Sequence, residues 1–215
     1  MGGKKLKLIG NGVQYFVYDL ENGSVLKKKT SFIQKISIYR KWWPDMKWTT
    51  CISYALNSTK DTKRARKFVL NNSVVSSLLG CPHYPNKYFR RYNFIQKKLV
   101  PLDVYIRDSQ LASNKEILKK YVDLVKKTWA YGFSDKIFNF DRNCGVDETE
   151  NVILFDFCEI TFLKEEVREL IENQYWLRKE SYRDLSEELQ LYFKELMSQE
   201  LTIDNLEKVW TTSLS

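Results

Sequence analysis

The chain has 215 residues, 43% hydrophobic and 14% aromatic, enough for one domain of good size or two small lobes. Four scattered cysteines beside a single histidine, His83 in a loop-like CPHYPNKY stretch, argue against a zinc site, a disulfide framework and histidine-dependent nucleophilic catalysis. They fit reduced thiols in a cytoplasm, and no apolar run reaches the length of a membrane span. The start, MGGKKLKLIG, lacks both a signal peptide's apolar region and the Ser or Thr of a myristoylation pattern. The net charge of +8 is uneven: +1 over residues 1–26, +15 over 27–107 and −8 over 108–215. A basic half and an acidic half fit a surface that receives a polyanion, a nucleotide or a nucleic acid. KDTKRARK (60–67) reads equally as one solvated helix face.

In chain order, residues 6–29 alternate like strands at Leu6–Ile9, Tyr15–Tyr18 and Val25–Leu26. The turns between them are Gly10-Asn11-Gly12 and Glu21-Asn22-Gly23, the second a hairpin signal. Residues 31–79 are mixed, with a helix expected over Thr62–Leu70. Trp42, Trp43 and Trp48 read as core, the alternative being stacking platforms for nucleic acid. Tyr92–Gln96 reads as a strand. A 3.6-residue period over Ile117, Leu118, Tyr121, Val122, Val125 and Trp129 marks a helix near 116–131. Val152–Phe155 is a short apolar strand, and helices are expected at 163–175, 182–198 and 202–211, the last capped by Thr202. A β-rich half before an α-rich half predicts an α+β fold in two parts, 1–102 and 103–215.

Asn143 stands thirteen residues ahead of Asp156, with a loop and the apolar strand between them. An amide and a carboxylate at the two ends of a small hairpin form an oxygen-ligand site suited to Mg²⁺ shared with substrate phosphates. This spacing, with Asp156-Phe157-Cys158 in place of D-F-G, resembles the metal-binding motif of the protein-kinase-like phosphotransferases. The resemblance runs in order along roughly residues 6–160. Gly10-Asn11-Gly12-Val13-Gln14-Tyr15-Phe16-Val17 is similar to the glycine-rich loop, with Tyr15 where the third glycine would be, and an ordinary turn is the alternative. Val25-Leu26-Lys27 is similar to V-A-I-K. Lys27 shares a strand face with Val25, and Lys28 or Lys29 takes its place if the register slips. Phe94–Leu99 corresponds to the inter-lobe hinge, which implies that Ile95 flanks an adenine pocket and that Gln96 and Lys98 offer main-chain contacts.

The departures from that pattern are specific. The position of the family's catalytic Asp, five before the metal-binding Asn, is Phe138. Asp135, eight before Asn143, serves as base if the loop carries three extra residues. Asp141, two before it, serves if the loop is reorganised, or acts as a metal ligand instead. No Glu occurs between Glu21 and Glu116 to pair with Lys27, which leaves Asp45 as a substitute, and A-P-E is absent. The resemblance therefore implies a compact two-lobed kinase-like fold that binds ATP and Mg²⁺ in a cleft and transfers a phosphoryl group to a hydroxyl of a protein, small molecule or nucleic acid. Its alternatives are an inactive kinase-like binding module and a nucleic-acid-binding protein acting through basic residues 27–107.

Overall fold

The structure, a computed structural model, describes residues 6–81, 93–156 and 159–211. The readings placed on His83, Tyr92, Phe157 and Cys158 lie outside the described residues. Two compact units make up the chain, Met1–Lys98 and Leu99–Ser215. Small antiparallel sheets and a mostly helical remainder give the expected α+β class.

The first unit is built on an antiparallel sheet in the order β1 (Lys7–Asn11), β2 (Tyr15–Asp19), β3 (Ser24–Lys29), β4 (Phe94–Lys97). The β2–β3 turn folds back because Glu21 and Gly23 adopt left-handed φ of 59° and 77°. Asp19 Oδ1 fixes it by accepting the Glu21 amide at 2.8 Å. Alternation then buries Val25, Lys27, Phe94 and Gln96. Val25 and Lys27 share the inward side while Lys28 is exposed, so the register does not slip.

After β3, helices α1 (Phe32–Trp42), α2 (Trp48–Leu70) and α3 (Ser73–Leu78) replace the mixed stretch read from the sequence. Ser31 and Gln34 form a reciprocal capping box that starts α1. Helix α2 begins fourteen residues before the expected Thr62. Its inward face is Cys51, Ala55, Ser58, Thr62, Ala65 and Val69. Those residues keep helical spacing but are small and partly polar, so the hydrophobic signal is weak. Fully buried Lys35 reaches across from α1, its Nζ donating to Ser58 Oγ at 3.0 Å. The tryptophans are not core. Trp42, Trp43 and Trp48 are 48%, 48% and 61% exposed at the facing ends of α1 and α2. There they contact one another and their neighbours: Tyr39 stacks on Trp43, and Arg40 lies 5.2 Å over the Trp48 ring.

The second unit centres on α5 (Leu111–Trp129), packed against α9 (Glu187–Glu200). The stripe read from the sequence is the buried one, from Ile117 and Leu118 through Trp129. Phe140 wedges between Tyr121 (5.8 Å) and Phe193 (5.1 Å). Each such ring contributes on the order of 2 kcal/mol by burial. Around this core lie β5 (Val100–Pro101), α4 (Leu102–Asp108), β6 (Ser134–Asp135), α6 (Phe140–Asn143), β7 (Cys144–Val146), β8 (Val152–Leu154) and β9 (Ile160–Thr161). Strands β5-β7-β8 form one sheet and β6-β9 another.

The expected helix at 163–175 stops at α7 (Lys164–Glu172), where Gln174 turns left-handed at φ 44°. The helix expected at 182–198 is split into α8 (Glu180–Arg183) and α9, because Ser186 caps α9 by accepting the Leu189 amide. Thr202 caps α10 (Ile203–Val209) as expected. Among the described residues no helix is long and apolar enough to cross a membrane.

Candidate functional site

Asp135 ends β6, paired with Ile160 of β9, and is 5% exposed. Beyond it the chain loops through Phe138, which takes a left-handed φ of 45° and buries its ring against Trp176 at 6.0 Å. Phe138 therefore anchors the loop from inside, in the position where the kinase pattern has its Asp. The Asp135 carboxylate accepts three hydrogen bonds. Ile137 N donates to Oδ1 (3.0 Å), and Asn139 N (3.2 Å) and Asn143 Nδ2 (3.1 Å) donate to Oδ2. Burial nonetheless pushes this carboxyl up to about 6, with the nearby Asp156 charge adding to the rise.

Asn143 closes α6 and leads straight into β7. Its carbonyl accepts the amides of Phe155 (2.8 Å) and Asp156 (3.2 Å), so the two ends of the β7–β8 hairpin are tied at one backbone oxygen. The Asn143 side chain donates Nδ2 to Asp135 at 3.1 Å. With its N–H turned to that carboxylate, Oδ1 is the atom left for a cation. Asn143 and Asp156 offer hard oxygen donors of the kind Mg²⁺ takes. Among the described residues no three His, Cys, Asp or Glu side chains converge on one metal position. The donor set thus fits an ion completed by phosphate oxygens and water.

Glu159 is the residue that sequence reasoning missed. It follows Asp156 by three positions, in reach of the metal motif, which is the signal that marks it. Burial, then the charges of Asp156 and Asp135, push its carboxyl up to about 7. A carboxyl held above its ordinary value of 4.5 keeps a proton in the folded state that the unfolded chain releases. Stability from this group is therefore complete below pH ~4.5 and is lost as pH rises towards ~7, on the order of 3 kcal/mol before sharing with its neighbours. The metal-free wild type is expected to lose several degrees of melting temperature across that window, and Glu159→Gln to flatten the curve. Parallel curves for the two proteins would remove Glu159 from the coupled cluster.

Asp141, the other candidate base, sits on α6. Its side chain is 14% exposed, burial raises its carboxyl above the ordinary range, and Arg142 pulls it back down. Asp135, in contrast, is bonded directly by the Asn143 side chain at 3.1 Å.

In the first unit, Gly10 and Gly12 flank the β1–β2 hairpin, where Gly12 N donates to Tyr15 O at 2.9 Å. A Cβ at either would stand in ordinary van der Waals contact, 3.6 Å from Val17 at Gly10 and 3.8 Å from Tyr15 O at Gly12, so neither position demands glycine for lack of room inside the fold. Val17 pairs with Lys27, and Lys27 is 6% exposed with its Nζ 5.8 Å from the Phe94 ring centroid. Ile95 is half-buried on β4. Gln96 is buried, its Nε2 donating to Leu79 O, so its side chain serves to seat β4 against the end of α3. The Lys98 amide is already donated to Gly23 O at 2.9 Å, and its side chain pairs with Asp19 at 2.6 Å. Any main-chain contact from Lys98 to a ligand falls to its carbonyl.

No curated protein matches the chain. The isocitrate dehydrogenase kinase/phosphatase (AceK) kinase domain matches residues 83–202, which include Asp135, Asn143, Asp156 and Glu159 but not Gly10, Gly12 or Lys27. That stretch is more than half of the 215 residues. The chain belongs to the family of the isocitrate dehydrogenase kinase/phosphatase (AceK) kinase domain.

Proposed function

We propose that the chain is an ATP- and Mg²⁺-dependent phosphotransferase acting on a hydroxyl group. The observation that carries this reading is the buried Asp135 carboxylate bonded to the Asn143 amide, with the Asn143 carbonyl holding the amide of Asp156. ATP with its metal supplies the phosphoryl group and neutralises charge on it. Asn143 Oδ1 and Asp156 hold the metal, and the kinase resemblance assigns phosphate oxygens to Lys27 and the Gly10–Gly12 turn. Asp135, at about 6, is largely ionised at neutral pH and accepts the proton of the attacking hydroxyl. Its three hydrogen bonds fix the carboxylate's orientation before any substrate arrives. The family's description names isocitrate dehydrogenase, so a protein hydroxyl is the first acceptor to test.

An inactive kinase-like module is the competing reading, favoured by Phe138 standing where the usual base would be. Mg-ATP at about a hundred times its dissociation constant should stabilise the protein by about 2.7 kcal/mol. A thermal-shift titration reads this directly. Absence of any shift with millimolar Mg-ATP, and with other nucleotides, removes the phosphotransferase reading. A shift without turnover on any acceptor selects the inactive module.

A further inference from the structure

A cavity of about 520 Å³ is walled by α4, α5, α6, α8 and α9 of the second unit. Its size is that of a small-ligand site. Ile106, Leu111, Phe140 and Leu189 give it apolar walls, and Asp103, Asp141 and Asp184 give it carboxylates. Two buried acceptors on its lining go unused. Asn114 is 4% exposed, and its Nδ2 is committed to the carbonyls of Ile106 (2.8 Å) and Ser109 (3.4 Å). Its Oδ1 meets no donor among the described residues, and neither does Asp141 Oδ1. Native interiors rarely leave such atoms without a partner, and the cost is recovered by any group that brings N–H donors. The bordering arginines do not fill that role. Arg107 is 68% exposed and reaches Asp103 at 3.9 Å, while Arg142, 71% exposed, reaches Glu180 at 3.5 Å and only the other oxygen of Asp141, Oδ2, at 3.9 Å, so Asp141 Oδ1 stays unmatched.

We propose that this cavity binds a cationic N–H donor on an aliphatic stem, the guanidinium or ammonium arm of the molecule that carries the accepting hydroxyl. An anion is disfavoured, because three carboxylates outnumber the two arginines on the lining and both unmatched atoms are acceptors. A purely apolar group would leave both acceptors unmatched. A methylene stem against Ile106, Leu111 and Leu189, with its charged head at Asp141 and Asn114, satisfies both kinds of wall. The placement is what makes it an acceptor subsite: Asp141 and Asn143 are two residues apart on one short helix, roughly 5–6 Å at the backbone. The assignment to the acceptor rests on the phosphotransferase reading, whereas the binding chemistry does not.

Calorimetry with N-butylguanidinium and butylammonium, against neutral butylurea, tests the binding without nucleotide. The cations are expected to bind saturably and butylurea not to bind. Asp141→Asn, which keeps the shape, should weaken the cations tenfold or more. Leu111→Trp, which keeps every charge and fills part of the space, should do the same and carries the test if Asp141→Asn fails to fold. Equal binding of butylurea, no saturable binding of either cation, or binding untouched by both substitutions overturns the proposal. The acceptor arm uses a serine peptide containing arginine, its citrulline twin and a small amino alcohol. A tenfold lower KM for the arginine peptide assigns the arm to a protein, and a preference for the amino alcohol assigns it to a small molecule. Turnover with equal KM for cationic and neutral acceptors overturns the subsite while the phosphotransferase reading stands. Cation binding without turnover on any acceptor keeps the cationic site and removes the phosphotransferase reading.

Discussion

Asp156→Ala is expected to abolish phosphotransfer, and Asp135→Ala to lower it by about 10²–10⁴-fold, the usual range for a general base. The two should differ in nucleotide affinity. Asp156→Ala loses a metal ligand and weakens Mg-ATP, whereas Asp135→Ala leaves it nearly unchanged, the mark of a group needed only in the transition state. Since the active form of Asp135 is the ionised one, activity should fall tenfold per unit as pH drops below about 6 and stay level above it. Each variant needs its melting temperature alongside its rate, because Asp135 also accepts two loop amides and the Asn143 side chain. A radiolabelled-ATP assay that finds Asp141→Ala dead and Asp135→Ala active would reverse the assignment of the base.

The second large effect is structural. A methyl group on Gly145 would lie 2.8 Å from Val100 O, 2.9 Å from Leu99 Cβ and 3.2 Å from Phe155 Cδ1. Two of those neighbours are immobile, a carbonyl in the paired strand β5 and a Cβ beside it, so β7 itself must move. Gly145→Ala is expected to cost about 3 kcal/mol, the upper part of the range for overpacking. Because β7 carries Asn143 at its head, the shift should also loosen Asn143 from Asp156 and reduce Mg-ATP affinity. Gly12→Ala, with 3.8 Å of clearance inside the fold, is the control that should leave stability within about 0.5 kcal/mol. Urea denaturation reads both, and equal stability of the two variants would show that β7 tolerates the methyl.

Legibility followed the strength of each local pattern. The β2–β3 hairpin, the α5 stripe and the Thr202 cap rest on strong signals: a turn with Gly23, large apolar residues at helical spacing, and a hydroxyl before an apolar run. The start of α2 was hidden because its buried face is alanine, serine, threonine and cysteine. The exposed tryptophans were misread because aromatic content usually signals burial, whereas here the rings cover one another at the tips of two helices. Within the candidate site, chain order placed Asp135, Asn143 and Asp156 along the chain, but no spacing rule foretells a loop anchored by Phe138. Glu159 carried only its spacing from Asp156 as a signal, and the unmatched Oδ1 of Asn114 becomes visible only once α5 is packed.

The Asn143 carbonyl that ties Phe155 and Asp156 belongs to the backbone, so that tie survives any change of side chain at 143. Asp135, in contrast, holds its loop together through the carboxylate itself. The wear expected on a gene copy released from catalytic duty is therefore lopsided. The Asn143 side chain can drift first, at the cost of one buried hydrogen bond to Asp135, while Asp135 persists as a relic of architecture. Descendants that keep the buried aspartate after losing Asn143 would be silent enzymes, legible as such from that mismatch alone.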